Sequence, residues 1–263
     1  MLHKSDFAEL WSVADAVADA ARTETLRYFR QADLKADSKT DAFDPVTAAD
    51  RGAEAAMRAV LRARRPDDGI FGEEEGVTEG TSGLTWVLDP IDGTRGFISG
   101  TPTWGVLVAL SDASGPKLGL IDQPYIGERF SGGGGRATVT GPLGTHGLAV
   151  TETTKLADAT LFTTFPEIGT PEEGQAFHRV ADKAKLVRYG CDCYAYALLA
   201  AGQIDLVIEA GLQPYDIQAP IAVIEAAGGI VTNWEGGPAH TGGRSLAAAT
   251  PELHAAAMAR LAG

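Results

Sequence analysis

The sequence predicts a mixed α and β fold, with helices covering sheets, and three observations carry that expectation. Apolar residues recur at helical spacing over the first thirty or so positions. From residue 84 to about 150 short strand signals follow one another, separated by turn residues. The rest of the chain alternates strand and helix. At 263 residues, 44% of them apolar, the chain suits one large domain or two tightly packed subdomains with a real core.

Phe7, Leu10, Ala14, Val17, Ala21, Leu26 and Phe29 give a first helix over 6–30. Residues 31–45 are polar and turn-rich, read as a loop or hairpin ending at Pro45. An Ala-rich helix runs from about Thr47 to Arg64, with Met57 and Leu61 on its apolar side, and Pro66-Asp67-Asp68-Gly69 stops it. A short strand, Ile70-Phe71, leads to Glu73, and 75–83 reads as a surface loop. Strands are expected at 85–88, 105–110, 117–122, 127–130 and 136–140, with Gly132 to Gly135 as a hairpin turn. That glycine run lacks a following Lys-Ser or Lys-Thr, which argues against a phosphate loop. Strands at 159–164, 185–189, 204–209 and 230–233 then alternate with helices at 171–184, 193–202 and 216–228, and a last helix covers 252–262.

The net charge of −13 argues against nucleic acid as a generic partner and fits a protein that concentrates cations, or one that is simply soluble. No apolar run approaches a membrane span, and the N-terminal segment lacks a signal peptide's basic start and apolar core, so a cytoplasmic location is the default expectation. Cys191 and Cys193, one residue apart, make a poor zinc set; read as extended, the segment points them to one face with Asp192 opposite, as reduced structural thiols.

The most informative segment is Trp86-Val87-Leu88-Asp89-Pro90-Ile91-Asp92-Gly93-Thr94. An apolar strand end delivers two carboxylates, and Pro90 stiffens the turn that follows. Two acids on one short rigid turn suit hard divalent cations, and N–H groups at Gly93 and Thr94 suit a phosphate oxygen. Metal and phosphate sites this close suggest metal-assisted phosphoryl transfer. The segment resembles the DPxDGT hallmark of the inositol monophosphatase superfamily. Asp44-Pro45-Val46-Thr47-Ala48-Ala49-Asp50, Phe71-Gly72-Glu73-Glu74 and Pro214-Tyr215-Asp216-Ile217-Gln218-Ala219-Pro220 resemble three further motifs of that family, in family order.

The resemblance implies an α+β fold, a layered αβαβα sandwich. Its N-terminal α+β part, 1–150, carries most metal ligands, and a C-terminal α/β part, 151–263, completes the site. It implies two or three Mg²⁺ held by Glu73, Asp89, Asp92, Asp216 and the main-chain carbonyl of Ile91. Thr94 and Asp50 would activate a metal-bound water for in-line attack on phosphorus, with Glu74 behind Glu73. It also implies a homodimer. Read without the resemblance, Asp216 is a helix N-cap, Asp50 a first-turn helix charge and Thr94 a helix N-terminus, and the triple Glu leaves the register at Glu73 open.

Several stretches resemble the histidinol-phosphate phosphatase branch: Arg188-Tyr189-Gly190-Cys191-Asp192-Cys193-Tyr194-Ala195-Tyr196, Phe97-Ile98-Ser99-Gly100, Pro102-Thr103-Trp104-Gly105, and Ile121-Asp122-Gln123-Pro124 with Gly127-Glu128-Arg129. A substrate carrying an ammonium and an imidazole calls for acids beyond the metal ligands. Asp192 and Glu209 are the candidates, against readings as a turn residue and a strand-end surface charge. Gln123, Arg188, Gly93 and Thr94 complete the expected substrate contacts, Gln123 also reading as loop structure. The rival readings are a phosphatase of inositol 1-phosphate or of a related sugar or nucleotide phosphate, and a non-catalytic binding protein on the same fold.

Overall fold

A computed structural model describes residues 4–31, 36–38 and 45–263. His3, Asp44 and the rest of the expected loop or hairpin at 32–35 and 39–44 lie outside the described residues. Two long helices open the chain, α1 (Lys4–Tyr28) and α2 (Ala48–Arg64), with a small antiparallel pair, β1 (Ala36–Ser38) and β2 (Pro45–Thr47), between them. An eight-stranded sheet follows, made of β3 (Gly69–Gly72), β4 (Gly76–Thr78), β5 (Thr85–Asp92), β6 (Gly105–Asp112), β7 (Gly115–Gln123), β8 (Glu128–Gly133), β9 (Arg136–Gly141) and β10 (Gly144–Gly147). Its spatial order is β10-β9-β8-β7-β6-β5-β3-β4, and only the β3–β5 pair is parallel. The one-turn helix α3 (Thr94–Ile98) interrupts it after β5.

The second half contributes β11 (Thr160–Thr163), α4 (Pro171–Ala181), β12 (Leu186–Tyr189), α5 (Cys193–Ala200), β13 (Leu206–Leu212), α6 (Pro214–Ala226), β14 (Ile230–Thr232), β15 (Gly243–Ala248) and α7 (Pro251–Ala262). Its five strands run in the order β12-β11-β13-β15-β14.

Alternation along the strands divides the core into layers. On β5 and β6, Leu88, Val106, Val108 and Leu110 pack with the buried faces of α1 and α2. Their neighbours Val87, Leu107 and Ala109 point the other way, into a core shared with α5, α6 and Val207 of β13. Leu206 and Ile208 turn from that core to a third, under α4 and α7. The result is the layered α+β sandwich, helix–sheet–helix–sheet–helix, that the family resemblance implies. Among the described residues no helix is long and apolar enough to cross a membrane.

Three strands went unforeseen. β4 lies in the expected 75–83 loop, where Ile70 pairs with Thr78. β10 is a short, exposed edge strand. β15, ending Leu246-Ala247-Ala248, has the composition of a helix, and its pairing with both β13 and β14 overrides that propensity. The turn at Gly133, Gly134 and Gly135 is a hairpin turn as expected, with all three at positive φ.

The middle helix α6 lies close on the sheet because glycines let it. A Cβ on Gly119 would fall 2.3 Å from the Ala219 carbonyl oxygen, and one on Gly132 would fall 2.3 Å from the Val223 Cα. Both are backbone obstacles that cannot swing aside, so any side chain there lifts the helix off β7 and β8. Gly132→Ala is therefore expected to lower the unfolding free energy by about 1–3 kcal/mol, the usual cost of overpacking. Urea denaturation would read this as a lower midpoint, and an unchanged midpoint would mean that α6 is not seated by this contact.

Candidate active site

The strand β5 does not end at Leu88, as expected, but runs through Pro90 to Asp92. Asp89 pairs with Leu107 and Asp92 with Gly105, so three steps on β5 oppose two on β6. This is a β-bulge, a position where a proline's missing N–H is tolerated. In a regular strand, residues three apart face opposite sides of the sheet. The extra residue cancels that alternation and brings both carboxylates to one side. Asp89 Oδ1 accepts the Ile91 N–H at 3.0 Å, which fixes the turn from within.

Asp216 joins them from the first turn of α6, where its Oδ2 accepts the Gln213 N–H at 2.7 Å. It is the third residue of the helix rather than its cap. Carboxylate oxygens of Asp89, Asp92 and Asp216 lie within 4.8 Å of one another. Glu73 arrives from the end of β3, whose parallel pairing with β5 matches Gly72 to Leu88 and places it beside Asp89. A buried ion pair holds that corner. Glu54 on α2 accepts from Arg58 Nε at 2.8 Å, from the Glu74 N–H at 2.7 Å and from the Glu75 N–H at 3.0 Å. A Cβ on Gly72 would lie 2.2 Å from Glu54 Oε1, so only glycine admits this carboxylate. Glu74 thus contributes its main chain to the support of Glu73, and its side chain is not part of the cavity wall.

Asp50 and Thr94 meet at the long end of hydrogen-bonding distance. Asp50, buried near the start of α2, accepts from the Thr47 N–H at 2.8 Å and the Thr47 hydroxyl at 2.6 Å through one oxygen. Its other oxygen faces the Thr94 hydroxyl at 3.4 Å, and the Ile91 carbonyl competes for the same proton at 3.1 Å. One carboxylate therefore caps α2 and orients Thr94.

Glu73, Asp89, Asp92, Thr94 and Asp216 wall a cavity of about 320 Å³ that also includes Ile91, Gly93, Asp192 and Glu209. Cys191 and Asp192 do not continue a strand. Gly190, Cys191 and Asp192 all have positive φ, at 88°, 89° and 45°, which is strained backbone for the latter two. The bend turns Asp192 into the cavity, where it lies so close to Gly93 that a Cβ there would fall 2.8 Å from its carboxyl carbon. It also aims the Cys193 N–H at Asp92 Oδ2, 2.6 Å away. Both cysteines are free thiols.

Glu209 is buried, not a surface charge at a strand end. The Thr164 N–H and hydroxyl and the Thr163 hydroxyl donate to it at 2.7, 2.8 and 3.1 Å.

Two expected substrate contacts are elsewhere. Gln123 is fully buried, its Nε2 donating to the Trp104 carbonyl at 3.0 Å and its Oε1 accepting the Ile126 N–H, so its amide closes a turn in the core. Arg188 is exposed on β12 and is not part of the cavity wall. Arg95, with its guanidinium 4.9 Å above the Phe165 ring, and Tyr196 also line the cavity, neither of them among the site residues expected from the sequence. Arg95 directly follows Thr94, and that adjacency was the available signal.

The electrostatics follow from crowding acids in a closed space. Burial, and then repulsion from Glu73, Asp92 and Asp216, pushes Asp89 well above the usual carboxylate range. Burial, and then Asp192 and Asp216, does the same to Asp92. Burial raises Asp192 to about 6 against the pull of Arg95, and Glu209 to about 7 against its threonine donors. Hard oxygen donors converging in mutual repulsion are the donor set that a hard divalent cation relieves.

A model of the inositol monophosphatase family matches residues 6–262. The chain belongs to this family. Family members are metal-dependent phosphatases, typically using Mg²⁺, and the three-aspartate cluster fits that requirement. The chain is 46% identical over 227 residues to the chloroplast bifunctional phosphatase IMPL2 of Arabidopsis thaliana, covering 86% of itself and 64% of that protein's length. It is 34% identical to the histidinol-phosphatase of Streptomyces coelicolor over 95% of both chains. Among solved structures it matches an inositol monophosphatase from Zymomonas mobilis with a TM-score of 0.82 and 36% identity, over 96% of this chain and 97% of that one.

The raised pKa of Glu209 makes a signed prediction. Between its ordinary value of 4.5 and about 7, the folded protein keeps a proton that the unfolded chain releases. The stability this confers is complete below 4.5 and is lost as the pH rises through 7. In metal-free protein, wild type should lose on the order of 3 kcal/mol relative to Glu209→Gln between pH 4.5 and 8. Urea titrations at the two pH values check this, and parallel stabilities would contradict a raised pKa.

Proposed function

We propose that the chain hydrolyses L-histidinol phosphate to L-histidinol and phosphate, within the phosphomonoesterase chemistry of its family. The observation that carries this reading is the pair Asp192, half-buried, and Glu209, buried, two acids in the cavity wall beyond the aspartate cluster. A phosphate ester of a neutral polyol offers them only uncharged hydroxyls. One bearing an ammonium and an imidazole offers them a charged donor. The 34% identity to a protein named histidinol-phosphatase supports the same substrate.

In this reading Asp89, Asp92 and Asp216, with Glu73 and the Ile91 carbonyl, hold the metal. When bound, Mg²⁺ supplies Lewis acidity to the phosphate oxygens and to the attacking water. The protein's own groups do the rest. The Thr94 oxygen accepts a hydrogen bond from the attacking water while its proton points to Asp50 Oδ1. Asp50 can accept the proton because its other oxygen is fixed by Thr47. The Gly93 and Thr94 N–H groups steady the phosphate, and Asp192 and Glu209 orient the nitrogen-bearing end.

Phosphate release from L-histidinol phosphate and from inositol 1-phosphate should favour the first, and only with Mg²⁺ rather than EDTA. Preference for the inositol ester would keep the chemistry and sink the role of Asp192 and Glu209. Asp92→Asn, which removes one charge from the cluster, should lower kcat by at least about a hundredfold with the melting temperature retained. Most of the activity surviving would refute Asp92 as a ligand.

A further inference from the structure

Tyr196 has no part in the chemistry above, yet its place is unusual. It sits on α5 as a member of the cavity wall, 3% exposed. The charges its phenol feels are Glu209, Asp92 and Asp216, all carboxylates of that cavity. Its hydroxyl makes no well-formed hydrogen bond among the described residues; the buried hydroxyl of Ser245, which likewise makes none, lies beside it and pairs with it only loosely. Ser245 is the register partner of Glu209 across β13 and β15, so its hydroxyl and the carboxylate lie side by side on the sheet.

Burial without a partner disfavours a hydroxyl, and phenylalanine would fill nearly the same space without that cost. Glu209 itself is incompletely used. Its Oε1 accepts twice, from the Thr164 N–H and hydroxyl, whereas Oε2 accepts only from Thr163. A carboxylate oxygen has room for two donors. The cavity wall therefore offers two acceptors with room for a donor, Glu209 Oε2 and Tyr196 Oη, Glu209 being the charge the phenol feels most, with Ser245 Oγ beside the phenol for its proton.

The geometry points to Tyr196 as a specificity-determining residue, its hydroxyl oxygen and Glu209 Oε2 together receiving the N–H donors of a nitrogen-bearing substrate group, an ammonium or an imidazole. Two acceptors beside an acidic cluster select a cationic donor over a neutral hydroxyl. This assignment rests on the phosphatase reading above and names what makes the cavity prefer a nitrogenous ester.

The test compares wild type with Tyr196→Phe in Mg²⁺, measuring kcat/KM on L-histidinol phosphate and on glycerol 2-phosphate, which has no nitrogen. The ratio of the two is expected to fall about tenfold in the variant, the weight of one hydrogen bond, mostly through the KM of the histidinol ester. The ligand-free melting temperature is expected to rise, because an unpaired buried hydroxyl has been removed. An unchanged ratio overturns the assignment whatever the melting temperature does. Equal losses on both esters with a lower melting temperature mark a structural hydroxyl and overturn it too. If wild type itself shows no preference for the histidinol ester, the substrate reading fails and takes this assignment with it; a preference undiminished by Tyr196→Phe sinks the assignment alone.

Discussion

Asp89 and Asp92 repel each other across a buried gap, and much of the surrounding structure exists to keep them there. Left to relax, two carboxylates three residues apart on a strand would face opposite sides of the sheet and both reach better solvation. The bulge opposite Leu107 and Gly105 prevents this, and the Ile91 N–H and Cys193 N–H each hold one carboxylate in place. The site is thus strained electrostatically in a frame that is rigid covalently and by hydrogen bonds. That arrangement stores an affinity for positive charge which a flexible loop, free to splay its acids, would lose.

The frame is assembled from distant parts of the chain by buried polar groups that each serve two masters. Asp50 caps α2 and faces Thr94. Glu54 neutralises Arg58 and gathers the peptide N–H groups behind Glu73. Asp216 accepts the Gln213 N–H at the start of α6 while facing Asp89 and Asp92. Helix starts are where carboxylates are electrostatically welcome, so the capping roles soften the repulsion that the cluster imposes. The glycines under α6 bring Asp216 in by letting backbone touch backbone.

Much of this was legible in the sequence because it is local. The acids of 89–94, the helix starts at Asp50 and Asp216 and the alternating strands of the first sheet are each contained in a few residues. What was not legible depends on partners across the fold. The bulge is defined only by pairing with β6, and Pro90 looked like a strand terminator until that pairing was known. Glu54 is an ordinary helix glutamate until Gly72 comes to rest against it. Gln123 stood in a promising motif, but its amide is spent on Trp104 and Ile126. β15 was hidden by its alanines, which favour helix unless two flanking strands supply the ladder. Tyr196 gave no sign, since an unpaired hydroxyl is visible only in three dimensions.

The bend at Gly190–Asp192 joins two things usually adjusted separately. The peptide that follows Asp192 carries the N–H donated to Asp92, so one side chain lining the cavity, proposed to face the organic half of the substrate, and one hydrogen bond to the acidic cluster share a single short bend. Any rotation that re-aims Asp192 also drags the donor on Asp92. Recognition and ion affinity are therefore geared together, and a lineage drifting toward a new ester by substitution here would have to retune its metal at the same step.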